Sequence, residues 1–250
     1  MEKTEKKQYR FGLIGKNISY SFSRGYFSKK FLELELPDHS YENFDLTAIS
    51  DFPEVIRTNK NLKGLNVTIP YKEDIIPYLD ELEASAKTIA AVNTIKISPS
   101  GLKGYNTDAH GFQKSLEPYL KEHHKKALIL GTGGASKAIA YVLEQLGISF
   151  TFVSRTGKNE GYTYTALNPE IIEENTLIIN CSPIGTFPNI TDKPAIPYTH
   201  ISKKHLLFDL IYNPEKTAFL SHGEKQGATI INGLPMLQLQ AEKAWEIWND

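Results

Sequence analysis

Hydrophobic positions early in the chain alternate between the spacing of strands and the spacing of helices. Short apolar runs rich in β-branched and aromatic residues predict strands over residues 9–15, 41–46, 65–69 and 92–97. Apolar residues three and four apart predict helices over residues 23–36 and 73–90, the second broken near Pro77. This part of the chain therefore predicts an α/β unit with a mixed or parallel sheet.

After residue 106 the alternation becomes regular, because apolar runs are separated by amphipathic stretches of helical period. The predicted strands cover residues 127–130, 150–154, 177–180, 206–210 and 229–231, and the predicted helices residues 134–146, 169–174 and 215–226. Strands and helices that alternate in this way favour a doubly wound parallel sheet. The last segment, residues 234–250, predicts an amphipathic helix that holds both tryptophans.

Composition excludes several classes of protein. The 250 residues are 40% hydrophobic and carry a net charge of −1, so no basic surplus points to nucleic acid or to an acidic membrane surface. Residues 1–10 are polar, and no run of about 18 apolar residues occurs, so we expect neither a signal peptide nor a membrane span. A lone Cys181 and histidines without ligand spacing predict no disulfide and no metal site. We therefore expect a cytoplasmic protein.

A glycine-rich turn in the middle of the chain indicates a dinucleotide cofactor. Gly131, Gly133 and Gly134 follow a predicted strand and open a predicted helix, although Ser136 replaces the third glycine of the usual template. The second strand of this unit ends on Ser154, Arg155 and Thr156, with no acid before Glu160, which favours the 2′-phosphate of NADP over NAD. The predicted cofactor-binding residues in these two segments are Gly131, Thr132, Gly133, Gly134, Ala135, Ser154, Arg155, Thr156 and Lys158. Leu210 and Gly233, further along the chain, complete the predicted set.

The strand, turn and helix of residues 125–140 form a unit that normally opens its domain, yet 124 residues precede it here. We therefore expect a substrate-binding α/β domain over residues 1–105 and a Rossmann-type NADP domain over residues 106–232. The helix of residues 233–250 is expected to return to the first domain.

Three polar clusters in the first part of the chain are ambiguous when each is taken alone. Residues 19–23, 66–72 and 106–108 could be a helix cap, a solvated lysine and an Asx turn. Together with Ala91-Val92-Asn93-Thr94 and the glycine turn, in this order, they resemble the shikimate dehydrogenase family. Residues 209–214 and residues 232–237, followed by Gln240, are similar to the distal motifs of that family.

The resemblance implies reversible reduction of 3-dehydroshikimate to shikimate with NADPH, a step of chorismate and aromatic amino-acid biosynthesis. It implies a catalytic Lys72 with Asp108 as its partner, and a small-molecule substrate bound by Ser21, Ser23, Thr68, Asn93, Asp108, Tyr212 and Gln240. The chain departs from the family pattern at Arg24, where a proline is usual, and at Lys137, where an arginine is common. A quinate/shikimate dehydrogenase that uses NAD and a non-catalytic nucleotide-binding regulatory homologue stay open as alternatives, as do a monomer and a homodimer.

Overall fold

The computed structural model describes residues 9–19, 21–157 and 161–250. Their contacts divide the chain into two compact units. Unit 1 comprises the described residues up to Thr107 together with Ala241–Asp250, and unit 2 comprises the described residues of Asp108–Gln240. Lys158 belongs to the predicted cofactor set and lies outside the described residues, as does Tyr20.

Unit 1 is built on a mixed sheet of six strands in the order β2-β1-β3-β5-β6-β4. Strand β1 is parallel to β2 and β3, whereas β5 is antiparallel to both β3 and β6. The strands are β1 Tyr9–Gly15, β2 His39–Asp45, β3 Leu62–Val67, β4 Glu81–Leu82, β5 Thr94–Ser98 and β6 Gly101–Tyr105. The helices are α1 Phe22–Glu33, α2 Phe52–Thr58 and α3 Ala84–Ile89.

Strand β1 lies between β2 and β3 and is buried on both faces, which explains why it reads as a continuous apolar run. Phe11 and Leu13 face a core that includes Phe27 of α1 and Trp248 near the end of the chain. Ile14 faces a second core on the opposite side of the sheet. The last ten residues therefore contribute Ala241, Ala244, Ile247 and Trp248 to a core of unit 1.

Unit 2 is a parallel sheet of six strands in the order β12-β11-β10-β7-β8-β9, with helices between the strands. The strands are β7 Lys126–Leu130, β8 Ser149–Ser154, β9 Tyr162–Thr163, β10 Leu177–Asn180, β11 Leu206–Asp209 and β12 Thr229–Ile231. The helices of unit 2 are α5 Gly134–Gln145, α6 Pro169–Glu174 and α7 Ala218–Lys225. Two further helices, α4 Thr107–Leu116 and α8 Leu234–Asn249, each include residues of both units. The first strand of the unit lies at the centre, so the strand order reverses between β7 and β10, where doubly wound sheets bind ligands.

The predicted α/β class and the doubly wound sheet are confirmed, but the predicted helix over residues 73–90 is wrong. A 3-10 turn at Ile76–Tyr78 and the short strand β4 replace its first part. Pro77 lacks the N–H that a continuing helix needs. A separate helix then starts at Ala84, because the Glu83 side chain accepts hydrogen bonds from the amides of Ser85 and Ala86.

Candidate active site

The strand directions of unit 1 bring its predicted substrate-binding residues to one edge of the sheet. Strands β1 and β3 are parallel, so both end at this edge. Strand β5 is antiparallel to β3 and begins here, with Thr94 opposite Asn66. Strand β6 ends here, with Tyr105 opposite Thr94. The chain segments that carry Ser21, Thr68, Asn93 and Thr107 therefore leave or enter the sheet at the same edge.

The two predicted serines open helix α1, which follows β1. Ser21 is the N-cap residue, and its side-chain oxygen accepts a hydrogen bond from the Ser23 amide at 3.2 Å. This contact uses only the oxygen of Ser21, so its hydroxyl proton is left for another acceptor. Both serines are half-buried, and neighbouring Arg24 is exposed. The capping interpretation of this cluster and a ligand-binding role are thus compatible.

A tight turn after β3 holds Thr68 and Lys72. The Thr68 amide donates to the Ile14 carbonyl at 2.8 Å, and the Tyr71 amide donates back to the Thr68 carbonyl at 2.9 Å. The Lys72 carbonyl then accepts from the Val92 amide at 2.7 Å. Lys72 is half-buried. The backbone of Lys72 is therefore held next to Val92, which directly precedes Asn93.

Asn93 is buried, and its amide side chain is bonded to the first residue of α4. The Asn93 Nδ2 atom donates to the Thr107 hydroxyl at 3.0 Å, and its Oδ1 atom accepts from the Thr107 amide at 2.7 Å. The Asn93 carbonyl also accepts from the Val67 amide at 2.8 Å, at the end of β3. These bonds fix the orientation of the Asn93 side chain at the sheet edge.

In unit 2, close packing of α4 on α8 brings the helix of Asp108 beside Gln240. A Cβ atom on Gly111, one turn after Asp108, would lie 2.5 Å from the Met236 carbonyl oxygen and 3.1 Å from the Gln240 nitrogen. Only glycine allows this approach. Asp108 and Gln240 are both buried, whereas Tyr212, which follows β11, is exposed.

The glycine turn after β7 lies at the point where the strand order reverses. Gly131 adopts φ +109, and a Cβ atom there would lie 3.3 Å from the Cys181 backbone that follows β10. Gly133 is the N-cap of α5, has no side-chain cap, and has no atom within 4 Å of where a Cβ would stand. Ser136, in place of the third glycine, is buried and donates its hydroxyl to the Gly133 carbonyl at 2.6 Å. An uncapped helix start with open space before it fits a phosphate group.

The end of β8 presents a cation and no acid. Ser154 is buried, whereas Arg155 and Thr156 are exposed, and none of residues 154–157 is acidic. Burial raises the pKa of Tyr164, and the positive charge of Arg155 opposes that increase. An accessible guanidinium at this strand end fits a ribose 2′-phosphate.

Leu210 and Gly233 lie at the ends of β11 and β12, on the same edge of the parallel sheet as Gly131. The Leu210 amide donates to the Asn180 carbonyl at 3.0 Å. A Cβ atom on Gly233 would overlap the Leu210 carbonyl, so glycine is required there. The structure thus gathers the described residues of the predicted cofactor set along the carboxyl ends of four parallel strands.

Sequence reasoning missed a buried carboxylate that connects two loops at this edge. Asp209 accepts hydrogen bonds from the Thr217 hydroxyl at 2.6 Å, the Ile211 amide at 3.1 Å and the Asn180 side chain at 3.0 Å. Burial nevertheless raises the pKa of Asp209 to about 6. Burial also raises the pKa of the Cys181 thiol, with a further contribution from the charge of Asp209. The Cys181 thiol therefore stays protonated.

Comparisons with known proteins identify the family. A family model described as "Shikimate dehydrogenase substrate binding domain" matches residues 13–95. A shikimate dehydrogenase (NADP(+)) of Clostridium botulinum is 39% identical over 253 residues, which cover 96% of each chain. The chain belongs to the shikimate dehydrogenase family. A shikimate dehydrogenase (NADP(+)) of Methanosphaera stadtmanae is 38% identical over 95% of this chain and 90% of its own.

Similarity to a solved structure supports the same family. The shikimate 5-dehydrogenase of Thermus thermophilus, in complex with NADP(H) and shikimate, has a TM-score of 0.84 and 29% identity. The match covers 96% of this chain and 93% of that one. The family predicted from the sequence motifs is thereby confirmed.

Within the described residues, the structure shows no group of three or more His, Cys, Asp or Glu side chains arranged to hold a metal ion. The helices in the same part of the chain include none that is both long and apolar enough to cross a membrane.

Proposed function

We propose that this member of the shikimate dehydrogenase family catalyses the reversible NADPH-dependent reduction of 3-dehydroshikimate to shikimate, in chorismate and aromatic amino-acid biosynthesis. The main support for the proposal is that one edge of the unit 1 sheet carries five residues with polar side chains: Ser21, Ser23, Thr68, Lys72 and Asn93. All five lie within the residues that match the substrate-binding domain. Hydroxyl, amide and ammonium groups are what a polyhydroxy acid needs for recognition.

NADP is the proposed cofactor, and the carboxyl ends of the unit 2 strands supply groups that suit it. The backbone of residues 131–135 and the uncapped start of α5 would hold the pyrophosphate. Arg155 would bind the 2′-phosphate. NADPH, when bound, supplies the hydride that reduces the ketone.

The substrate carboxylate is assigned to Ser21 and Ser23, whose hydroxyls can donate to an anion. The ring hydroxyls are assigned to Thr68, Asn93 and Gln240, and Tyr212 is assigned a place beside the ring. A substrate hydroxyl that is missing would leave one of these polar groups without its partner, which penalises an analogue.

Lys72 is the proposed catalytic acid. When the ketone is reduced, negative charge grows on its oxygen and has to be protonated as it forms. The Lys72 ammonium would donate that proton at Nζ and recover it in the reverse direction. Asp108 is the second proposed catalytic group, a buried carboxylate that also accepts a hydrogen bond from a substrate hydroxyl.

The decisive experiment measures NADP⁺ reduction by absorbance with shikimate, and repeats it with quinate and with NAD⁺. We expect turnover with shikimate and a clear preference for NADP⁺. A preference for quinate or for NAD⁺ would support the quinate/shikimate alternative. Binding of NADP⁺ without turnover of either acid would support the non-catalytic homologue.

A cytoplasmic location and a monomeric or homodimeric state belong to the same proposal. Fractionation of the cells that express the protein and light scattering of the purified chain would test them.

A further inference from the structure

The carboxylate of Asp209 joins three segments of the chain at the carboxyl ends of the unit 2 strands. Its Oδ1 atom accepts hydrogen bonds from the Ile211 amide at 3.1 Å and from Nδ2 of Asn180 at 3.0 Å. Its Oδ2 atom accepts from the Thr217 hydroxyl at 2.6 Å. Asp209, Asn180 and Thr217 are fully buried. The end of β10, the loop after β11 and the N-cap of α7 are therefore bonded to one side chain.

The direction of these bonds follows from neighbouring amides, which can only donate. Oδ1 of Asn180 accepts from the Ser182 amide at 3.1 Å, so the nitrogen of the Asn180 side chain faces Asp209. The Thr217 oxygen accepts from the Leu220 amide at 3.3 Å, which leaves its hydroxyl proton for Oδ2 of Asp209. All three partners thus donate to the Asp209 carboxyl, the arrangement that an ionised carboxylate satisfies.

One branch of this network leads to the glycine turn. Oδ1 of Asn180 also accepts from the Ser182 hydroxyl at 2.7 Å, so two bonds hold the start of the loop after β10. A Cβ atom on Gly131 would lie 3.3 Å from the Cys181 carbonyl oxygen and 3.3 Å from the Ser182 nitrogen. The Gly131 backbone therefore packs directly on the peptide that Asn180 holds.

The second branch leads to the two later residues of the proposed cofactor site. The Ile211 amide is bonded to Asp209, and the Ile211 carbonyl accepts from the Gly233 amide at 3.0 Å. A Cβ atom on Gly233 would overlap the Leu210 carbonyl, so these two backbone segments are in contact. The third bond, from Thr217, leads instead to α7, which holds no residue of the proposed cofactor set.

We propose that Asp209 is a positioning residue for NADP, because it holds the backbone against which the glycine turn and Gly233 pack. This inference rests on the proposed function, since it requires NADP as the cofactor. Asp209 acts through Asn180 and Ile211 and is itself buried. A binding site that is already ordered binds more tightly than one that has to be ordered on binding. Loss of the two branches should therefore weaken binding of the cofactor.

Isothermal titration calorimetry of the full-length protein with NADP⁺, in the absence of shikimate, measures this effect independently of turnover. Asp209→Ala removes both branches, so we expect the Kd for NADP⁺ to rise about 5- to 10-fold, an effect of the size of one neutral hydrogen bond. Asp209→Asn keeps an oxygen that can accept from Ile211 and Asn180, so its Kd should stay within about twofold of the wild type. An equal rise in the two variants would overturn the inference.

Thr217→Val is the matched control, because it removes the third bond to the same carboxylate and leaves both branches in place. It should lower the free energy of unfolding, since Asp209 loses a donor and α7 loses its side-chain cap. The Kd for NADP⁺ should nevertheless stay within about twofold of the wild type. If Thr217→Val raised the Kd as much as Asp209→Ala, general destabilisation would account for both, and positioning would be wrong.

Asn180→Ala keeps the test available should Asp209→Ala not fold. It removes the branch to the glycine turn and leaves the bonds from Ile211 and Thr217, so we expect a smaller rise in Kd, about two- to fivefold. An unchanged Kd in this variant would overturn the inference and leave the proposed function standing.

The wild type separates the inference from the proposed reaction. If it binds NADP⁺ but does not reduce it with shikimate, and the variants behave as expected, the reaction is wrong and the positioning role stands. A wild-type protein that does not bind NADP⁺ would overturn both.

Discussion

At the scale of single residues, Lys72 differs from Lys60 of the same unit in its burial. It is half-buried, and its carbonyl accepts from the Val92 amide at 2.7 Å, whereas Lys60 is exposed. Lys72→Ala should lower kcat by a factor of about 10² to 10⁴, the range for loss of a general acid. The KM for shikimate should change only a few-fold. Steady-state kinetics with Lys60→Ala as the control would show this, and a near-normal kcat for Lys72→Ala would remove the assignment.

At the same scale, we expect Arg155 to determine the preference for NADP⁺ over NAD⁺. A guanidinium that binds a phosphate with paired hydrogen bonds stabilises the complex by about 1.5 to 3 kcal/mol. Arg155→Ala should therefore reduce kcat/KM for NADP⁺ by about 10- to 100-fold and leave kcat/KM for NAD⁺ nearly unchanged. Lys126→Ala, which removes an exposed ion pair with Glu174, is the control. An equal loss with both cofactors would mean that Arg155 does not distinguish them.

At the scale of elements, the buried Asp209 joins the end of β11 to the N-cap of α7. Its pKa is raised by burial from 3.8 to about 6, so the folded protein binds this proton more tightly than the unfolded chain does. Its contribution to stability is therefore complete below about pH 4 and is lost as the pH rises through 6. The loss amounts to about 3 kcal/mol.

Asp209→Asn should remove this pH dependence, because an amide does not ionise in that range. The amide can still accept from Ile211 and Asn180 and can turn its nitrogen toward Thr217. Urea unfolding at pH 4 and at pH 7 should show that the wild type loses about 3 kcal/mol relative to the variant over this interval. If the free energy of unfolding changed equally with pH in the wild type and the variant, ionisation of Asp209 would not destabilise the fold.

The elements also show what the sequence could predict. In unit 2 the strands β7, β10 and β11 are predominantly apolar runs, since helices cover both faces of the sheet, whereas half of the residues of β8 are polar. All four of these strands were predicted. Strand β6 was missed because Gly101 and Gly104 interrupt its apolar pattern. Helix α4 was missed because Gly111, which weakens a helical pattern, is needed for contact with α8.

The residues of the candidate site were predictable where they belong to short motifs. Lys72 follows the end of β3 by five residues and Asn93 directly precedes β5, and the motifs around both residues match a family. The bond from the Tyr41 hydroxyl to Asn66 was not predictable from the sequence, because Tyr41 has the pattern of a core aromatic residue and Asn66 lies 25 residues away.

At the scale of the whole molecule, unit 1 is discontinuous in sequence. Residues 241–250 belong to it, although unit 2 lies between them and the rest. Trp248 stacks on Phe11 with centroids 4.9 Å apart, and its indole N–H donates to the Ile95 carbonyl at 3.0 Å. A Cβ atom on Gly64 would overlap the indole, so the strand and the ring are in direct contact. We therefore expect the stability of unit 1 to depend on the end of the chain.

Trp248→Ala tests that dependence. It removes a large side chain that is 7% exposed from the core of unit 1, so we expect the free energy of unfolding to fall by about 3 to 5 kcal/mol. The remaining tryptophan, Trp245, also packs on Phe11 in unit 1, and its fluorescence during urea unfolding reports on this unit. Glu246→Ala, on the same helix, should change the midpoint little, since it removes only a surface ion pair. If Trp248→Ala unfolded at the midpoint of the Glu246→Ala control, the core of unit 1 would be complete without the last turn of α8.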